Sequence, residues 1–299
     1  MALNIAIVTN NELHHKYFIS KLYESLNVKC ILIPNGTKIK TPSLKERIEK
    51  YGLSWLILKM MSKVYLKFSA NSFLNLMKKS ENIFFASIDK FYATIDASKI
   101  HHIDTVNSEI AINLMKKNEI DIICFLGGDI AKKEFINSSK LVCLNIHSGI
   151  SPFYNGTGTT RWAVCDNRPN FVGTTLMYMN EKIDGGKIIS HYLPDIEEKD
   201  DAATLFMKGI KGSVKLILLA IEEIEQGKMF EGISQHRSFR YVSGMDWTIF
   251  HDIKLNQFHK SGKMKLYERE EKIVLYSNEL ETDYTMSKTL QIVLEKRSK

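Results

Sequence analysis

Cysteine is scarce in this chain, four in 299 residues, at positions 30, 124, 143 and 165. They are widely spaced and no C-x-x-C pair occurs, so zinc and dithiol redox chemistry have little support, and their apolar neighbours suit buried free thiols. No apolar run approaches the ~18–20 residues of a membrane span. The opening Met1-Ala2-Leu3-Asn4 lacks a charged leader ahead of an apolar core, and a cytoplasmic setting is expected. Also missing is any G-x-x-x-x-G-K-[ST] phosphate loop. Gly156-Thr157-Gly158-Thr159-Thr160-Arg161 opens like a dinucleotide fingerprint, but it has no third glycine and does not follow the first strand. The pairs His14-His15 and His101-His102 have no cysteine or carboxylate at metal-ligand spacing, so no metal is expected. The first pair lies just after the first strand, near the expected cleft. There are no internal repeats and no low-complexity linkers.

What is present describes one good core with a small appendage: 44% of residues are apolar, ordinary for a globular chain of this length. The formal net charge is +7, and it is unevenly spread. Residues 29–80 hold eleven Lys or Arg against only Glu46 and Glu49, more positive than the whole chain. Such a face attracts phosphate-bearing partners or an anionic membrane. A merely solvated lysine-rich face explains it equally well.

The first half alternates strands and helices. A strand over 5–8 is followed by a helix from about His15 to Leu26, then by a strand over 29–34 closed by Pro34-Asn35-Gly36, a turn signal. From Leu53 to Met77, Trp55, Leu56, Met60, Val64, Leu66, Phe68, Phe73 and Leu74 recur among lysines, an amphipathic helical pattern. Packing across one sheet edge is expected for it, with a membrane-surface helix as the other option. A short strand over 99–104 and a helix capped at Asn107 or Ser108 come next. The run 120–126 is a buried strand ending at Gly127-Gly128. Strand, helix, strand order with wholly apolar strands predicts a mostly parallel sheet flanked by helices, an α/β, Rossmann-like class. A helix is expected over 204–224. After Gly227 the character changes, and residues 263–276 read as strands. We therefore divide the chain into a catalytic domain, 1–227, and a small C-terminal α+β subdomain, 228–299.

One constellation stands out. Asn145 and His147 end the apolar run from Leu141, and residues two apart on a strand share a face. Asp184 follows a second strand-like run, 172–179, at the start of a Gly-Gly turn. Ligands of such sheets bind outside the carboxyl ends of the strands. Gly127-Gly128, His147 and Asp184 all fall at such ends. A carboxamide, an imidazole and a carboxylate gathered there suit oxyanion stabilisation and proton transfer.

The set Asn145-x-His147, a proline five residues after the histidine (Pro152), and Asp184 some forty residues beyond Asn145 resembles the 10-formyltetrahydrofolate-dependent formyltransferase family. Gly173-Thr174-Thr175 and Asp184-Gly185-Gly186-Lys187-Ile188-Ile189 are similar to its signatures too. The likeness spans roughly residues 80 to 225. It implies that Asn145, His147 and Asp184 are catalytic and that 10-formyltetrahydrofolate donates the formyl group. It implies also that the pterin lies against Leu126, Gly127 and Gly128 and the loop carrying Ile183 and Asp184. Tyr154 and Asn155 are the candidate acceptor contacts. The medium length, and His-Ser-Gly-Ile-Ser-Pro in place of His-Pro-Ser-Leu-Leu-Pro, most resemble the branch acting on nucleotide-linked amino sugars. The basic segment suits a diphosphate on that acceptor. Nucleic acid is not the expected partner; a methionyl-tRNA-type formyltransferase and a non-catalytic binding descendant of the fold are the alternatives. The resemblance also leaves room for a homodimer.

Overall fold

The computed structural model describes residues 2–35, 43–69, 72–235, 238–276 and 288–295. Strand β1 (Ile5–Thr9), helix α1 (Leu13–Ser25) and strand β2 (Val28–Pro34) open the chain. The expected turn at Pro34-Asn35-Gly36 ends in a residue outside the described ones. Three helices follow, α2 (Leu44–Phe68), α3 (Phe73–Phe85) and α4 (Ile88–Tyr92), then strand β3 (Ile100–Ile103). Helix α5 (Glu109–Lys117) starts where the Ser108 hydroxyl accepts the Ala111 N–H, which satisfies one of the orphan donors of a first turn. Strand β4 (Ile122–Leu126), helix α6 (Lys133–Ile136) and strand β5 (Val142–His147) complete a parallel set in the order β3-β2-β1-β4-β5.

Both faces of this set are covered. On β1, Ile5 and Ile7 enter an apolar cluster with Phe18 and Leu22 of α1, while Ala6 and Val8 enter another with Met115 of α5 and Phe135 of α6. The period of two along a strand thus feeds two cores. The expected α/β, mostly parallel arrangement is what the chain adopts.

Beyond β5 the pairing reverses. Strand β6 (Asn155–Gly156), helix α7 (Thr159–Cys165), strands β7 (Thr174–Tyr178) and β8 (Ile188–Leu193) and helix α8 (Ala202–Glu225) follow, then strand β9 (Tyr241–Val242), helix α9 (Ile249–Lys260), strand β10 (Lys272–Leu275) and helix α10 (Lys288–Leu294). β7, β8 and β10 extend the sheet antiparallel from β5, giving eight strands, and β6 pairs with β9.

Three expectations change. The stretch 53–77 is two helices rather than one, interrupted before Ser72, whose hydroxyl caps α3 by accepting the Asn75 N–H. Nor does α2 lie across a sheet edge. It packs on α9 and the loop before it: the Trp55 indole donates to the Met245 carbonyl at 2.9 Å, and Asn256 donates to the Tyr65 hydroxyl at 2.9 Å. In 263–276 only β10 is a strand. Gly262, in the left-handed region at φ 64°, starts a 3-10 helix over Lys263–Tyr267 instead. Segment 228–299 shares its packing with what precedes it. Trp247, Leu255, Phe258 and Val274 lie in one apolar cluster with Ile150, Trp162, Ile188 and Leu205.

Candidate active site

The site grows from the carboxyl end of β5. Asn145 and His147 project to one side of that strand, and β4 beside it ends at Leu126. Gly127 and Gly128 then turn the chain with φ of 70° and 87°, which only glycine adopts freely. A relay fixes this end of β4: the His15 ring bonds the Thr9 hydroxyl at 2.6 Å, and that hydroxyl donates to the Leu126 carbonyl at 2.7 Å. Burial, with the charge of neighbouring His14, holds the His15 pKa well below the ordinary value. The ring is therefore neutral.

The loop after His147 is tied to β7. His147 stands opposite Thr175, whose hydroxyl donates to the Gly149 carbonyl at 2.6 Å and accepts the Ser151 N–H at 2.9 Å. That is why the threonine of Gly173-Thr174-Thr175 belongs there. Gly149 has a different constraint. A Cβ on it would stand 2.6 Å from both His147 Nε2 and the Tyr154 carbonyl oxygen, inside the hydrogen bond those atoms make.

His147 is held at both nitrogens. Its Nε2–H donates to the Tyr154 carbonyl at 2.9 Å, and its Nδ1 lies 3.1 Å from Asp184 Oδ1. Asp184 adopts φ 50°, unusual for a residue with a Cβ. Its Oδ2 accepts the Gly156 N–H at 2.8 Å. Gln235 clamps the loop by donating to the carbonyls of Asp184 and Gly186 at 2.8 and 2.7 Å.

The electrostatics of the two partners agree. Burial opposes charge on both groups. For His147 the Asp184 charge, its hydrogen bond and the Tyr154 carbonyl together outweigh burial, so the imidazole pKa is raised. For Asp184 the His147 charge and hydrogen bond, with the Gly156 N–H, outweigh it too, and the carboxyl pKa is lowered. Both shifts, and an acceptor facing each ring nitrogen, favour an imidazolium against a carboxylate. Asn145, by contrast, makes no side-chain hydrogen bond to any described residue and opens into the cavity, its amide free to donate to a ligand oxygen.

That cavity, about 540 Å³, is of the size that holds a small-molecule substrate. Leu126, Gly127, Gly128, Ile183 and Asp184 line it together with Asn145 and His147, so these seven residues named from the sequence meet in one place. Backbone N–H and C=O groups at a glycine turn, faced by apolar side chains, fit a flat, amide-bearing heterocycle such as a pterin. Tyr154 and Asn155, named as candidate acceptor contacts, are not among the residues that line the cavity. The Tyr154 hydroxyl points away and donates to Asp166 at 3.0 Å, leaving its carbonyl for His147. Asn155 is buried beneath the Asp184 loop, with its amide toward the Asp184 carbonyl and Gln235. Sequence reasoning missed other lining residues: Thr157, Thr160 and Arg161, Phe73 of α3, and His14, whose ring lies 4.2 Å from that of His15 on the Gly127 side. Only the place of His14-His15 after the first strand hinted at any of them.

No described residue forms an open metal cage here. Asp195, Glu197 and Asp200 come together elsewhere, and the Lys208 ammonium already occupies their centre at 2.6, 3.9 and 2.7 Å. All four cysteines are free and buried, and burial pushes the Cys30 and Cys124 thiols up to about 12, which leaves them unreactive.

Comparison with known proteins locates this geometry. Residues 89–221 match the formyl transferase family. The matched span contains Asn145, His147 and Asp184 and ends within α8. The chain is 30% identical over 129 residues to the methionyl-tRNA formyltransferase of Bacillus thuringiensis, 40% of each chain. The chain thus spans about two fifths of the length of the curated relatives it matches. Among solved structures it resembles a 4-N formyltransferase from Francisella tularensis, with 18% identity, a TM-score of 0.51 and coverage of 85% of this chain and 86% of that one. A sugar N-formyltransferase from a Shewanella species gives 15% identity and a TM-score of 0.51, over 93% and 98% of the two chains. These likenesses establish a shared fold.

Proposed function

We propose that this chain is a folate-dependent N-formyltransferase that moves a formyl group from 10-formyltetrahydrofolate to the amine of a nucleotide-linked amino sugar. The observation that carries the reading is the His147–Asp184 ion pair with Asn145 beside it, opening on one cavity at the carboxyl ends of β4 and β5. The formyl transferase match over residues 89–221 supports the reaction class. Full-length structural likeness to a sugar N-formyltransferase, against a match to only 40% of the tRNA enzyme, supports the sugar branch.

The donor supplies an activated formyl carbon. The acceptor amine attacks it, a C–N bond forms, and the carbonyl oxygen becomes an oxyanion. Asn145, with its free N–H, and the His147 imidazolium stabilise that charge. Asp184 keeps the imidazolium charged and accepts the proton released by the amine, directly or through a water. Collapse breaks the bond between the formyl carbon and the folate nitrogen, which takes a proton from the imidazolium side of the pair. One proton leaves the amine and one reaches the folate, so the site ends as it began.

A second reading, formylation of an aminoacyl-tRNA, is favoured by the identity to methionyl-tRNA formyltransferases. The test is incubation with 10-formyltetrahydrofolate and a panel of nucleotide-linked amino sugars, with initiator tRNA alongside, followed by product mass. Gain of one formyl group on a sugar supports the proposal. Formylation of tRNA alone, with binding that weakens steeply as salt rises, replaces it with the second reading.

A further inference from the structure

Arg161 lines the cavity and the reaction does not use it; of the other charged lining residues that the reaction leaves aside, Asp129 is engaged by Thr105 and the Val106 N–H, while Glu181 and Lys182 are exposed. Arg161 lies in the first turn of α7, five residues beyond Gly156, whose N–H holds Asp184. At most ~18 Å of extended chain separates those two positions. Its guanidinium is stacked, with the central carbon 4.3 Å from the centroid of the Trp247 ring and 5.5 Å from that of Phe73. Its Nε is buried and has no hydrogen-bond partner, and no described carboxylate forms an ion pair with it.

The nearest counter-charge is already engaged. Asp252 accepts from the Trp247 indole at 2.7 Å through one oxygen and from Ser62 through the other. A second cation, Lys59, sits beside Arg161 and spends its donors on the carbonyls of Gly244 and Trp247, at 2.7 and 2.5 Å. Arg240, the next arginine in the neighbourhood, is closed by Asp166 at 2.7 Å. Asp246 and Asp252 offset the charge of Lys59, but the Arg161 guanidinium itself has no described ion-pair partner in a partly desolvated place, where a guanidinium ordinarily has a carboxylate or phosphate on its fork. Stacking on Trp247 holds the fork in place before any ligand arrives.

We infer that Arg161 is the anion anchor of the acceptor half of the cavity, its guanidinium receiving a phosphate oxygen of a phosphate-bearing acceptor. The assignment rests on the proposed formyl transfer to a nucleotide-linked amine and deepens it. It assigns the phosphates to the Thr157–Arg161 part of the lining and leaves Leu126–Gly128 to the folate ring. It also separates phosphate recognition from the lysines of residues 43–69, most of which lie on the outside of α2.

Inorganic pyrophosphate is the probe, with folinic acid in parallel, titrated calorimetrically into the full chain as wild type, Arg161→Gln and Arg161→Lys. The expected result is a pyrophosphate affinity lower by about tenfold or more in Arg161→Gln, in line with loss of a charge-assisted pair. Arg161→Lys, which keeps the charge but not the fork, should fall between. Folinic acid should bind all three alike. Equal pyrophosphate affinity in all three overturns the inference, and so does selective loss of folinic acid binding, which would assign the guanidinium to a donor carboxylate. If a thermal melt shows Arg161→Gln to be unfolded, Arg161→Lys carries the test, and wild-type pyrophosphate affinity in it is the contrary result. No turnover is needed, so failure of the formyl-transfer reading and failure of this anchor are told apart.

Discussion

His147 is the residue whose environment decides most. Burial alone would push its pKa below 6.5, and Asp184 reverses that sign. In Asp184→Asn only the Tyr154 carbonyl is left to oppose burial, so the His147 titration should move down, toward or below 6.5, read from imidazole NMR signals; a His147 pKa that stays as raised as in wild type would mean Asp184 is not its partner. The stability linkage has two limbs. His147, raised on folding, contributes fully below its unfolded pKa, and that contribution is lost as pH rises through the folded value. Asp184, lowered on folding, contributes above its unfolded pKa and loses the contribution as pH falls through the folded value. The pair should therefore persist from below 3.8 to above 6.5, with activity falling outside those limits. Gln235 acts through Asp184. Gln235→Ala removes two hydrogen bonds to the φ-positive loop and should lower turnover with little change in substrate affinity, while moving the His147 titration toward that of Asp184→Asn. A wild-type His147 titration in Gln235→Ala would limit Gln235 to a structural role. That Asn145, His147 and Asp184 meet at one cavity was legible because residues two apart on a strand share a face and such sheets bind ligands at strand ends. Gln235 was not, since a lone glutamine 51 residues beyond Asp184 carries no pattern.

At the scale of elements, β7 holds the loop that follows His147. Thr175→Val keeps the shape and removes the hydroxyl, leaving the Gly149 carbonyl and the Ser151 N–H unpaired in a buried place. A loss of ~1–3 kcal/mol for each unsatisfied buried group is the general scale. Urea denaturation should therefore show a lower midpoint at unchanged slope; an unchanged midpoint would show the loop to be held otherwise. The strands were readable from their apolar runs, because a sheet covered on both faces has few polar positions. The α2–α3 segment was less so. Its apolar residues continue at helical spacing through the break before Ser72, and many of them, Leu53, Ile57, Met60 and Val64 among them, are exposed rather than packed. Amphipathic spacing locates a helix, but the partner, here α9, is set by long-range contacts such as Trp55 to Met245.

For the whole molecule, the question is whether residues 228–299 stand apart. Arg269 reaches back to donate to the carbonyls of Pro194, Asn170 and Val172 at 2.8, 2.6 and 2.5 Å, and burial lowers its pKa to about 9. On β8, His191 bonds Thr289 of α10 at 2.9 Å and the Tyr276 hydroxyl at 3.0 Å. Truncation after Gly227 would strip β10 from β8 and uncover Trp162, Ile188 and Leu205. A truncated 1–227 chain should bind a dye for exposed apolar surface and melt without cooperativity; a sharp melt would make the division at Gly227 a true domain boundary. The change of character there was visible in the sequence. The shared core was not, since nothing local marks which strand β10 will pair with.

The most direct measurement is tetrahydrofolate release from 10-formyltetrahydrofolate, in the presence of the proposed acceptor, a nucleotide-linked amino sugar, by wild type and by Asn145→Ala, His147→Ala and Asp184→Ala. The account predicts folded variants whose turnover is lower by ~10²–10³, the scale of losing an oxyanion donor. Turnover within a few-fold of wild type in all three would contradict it.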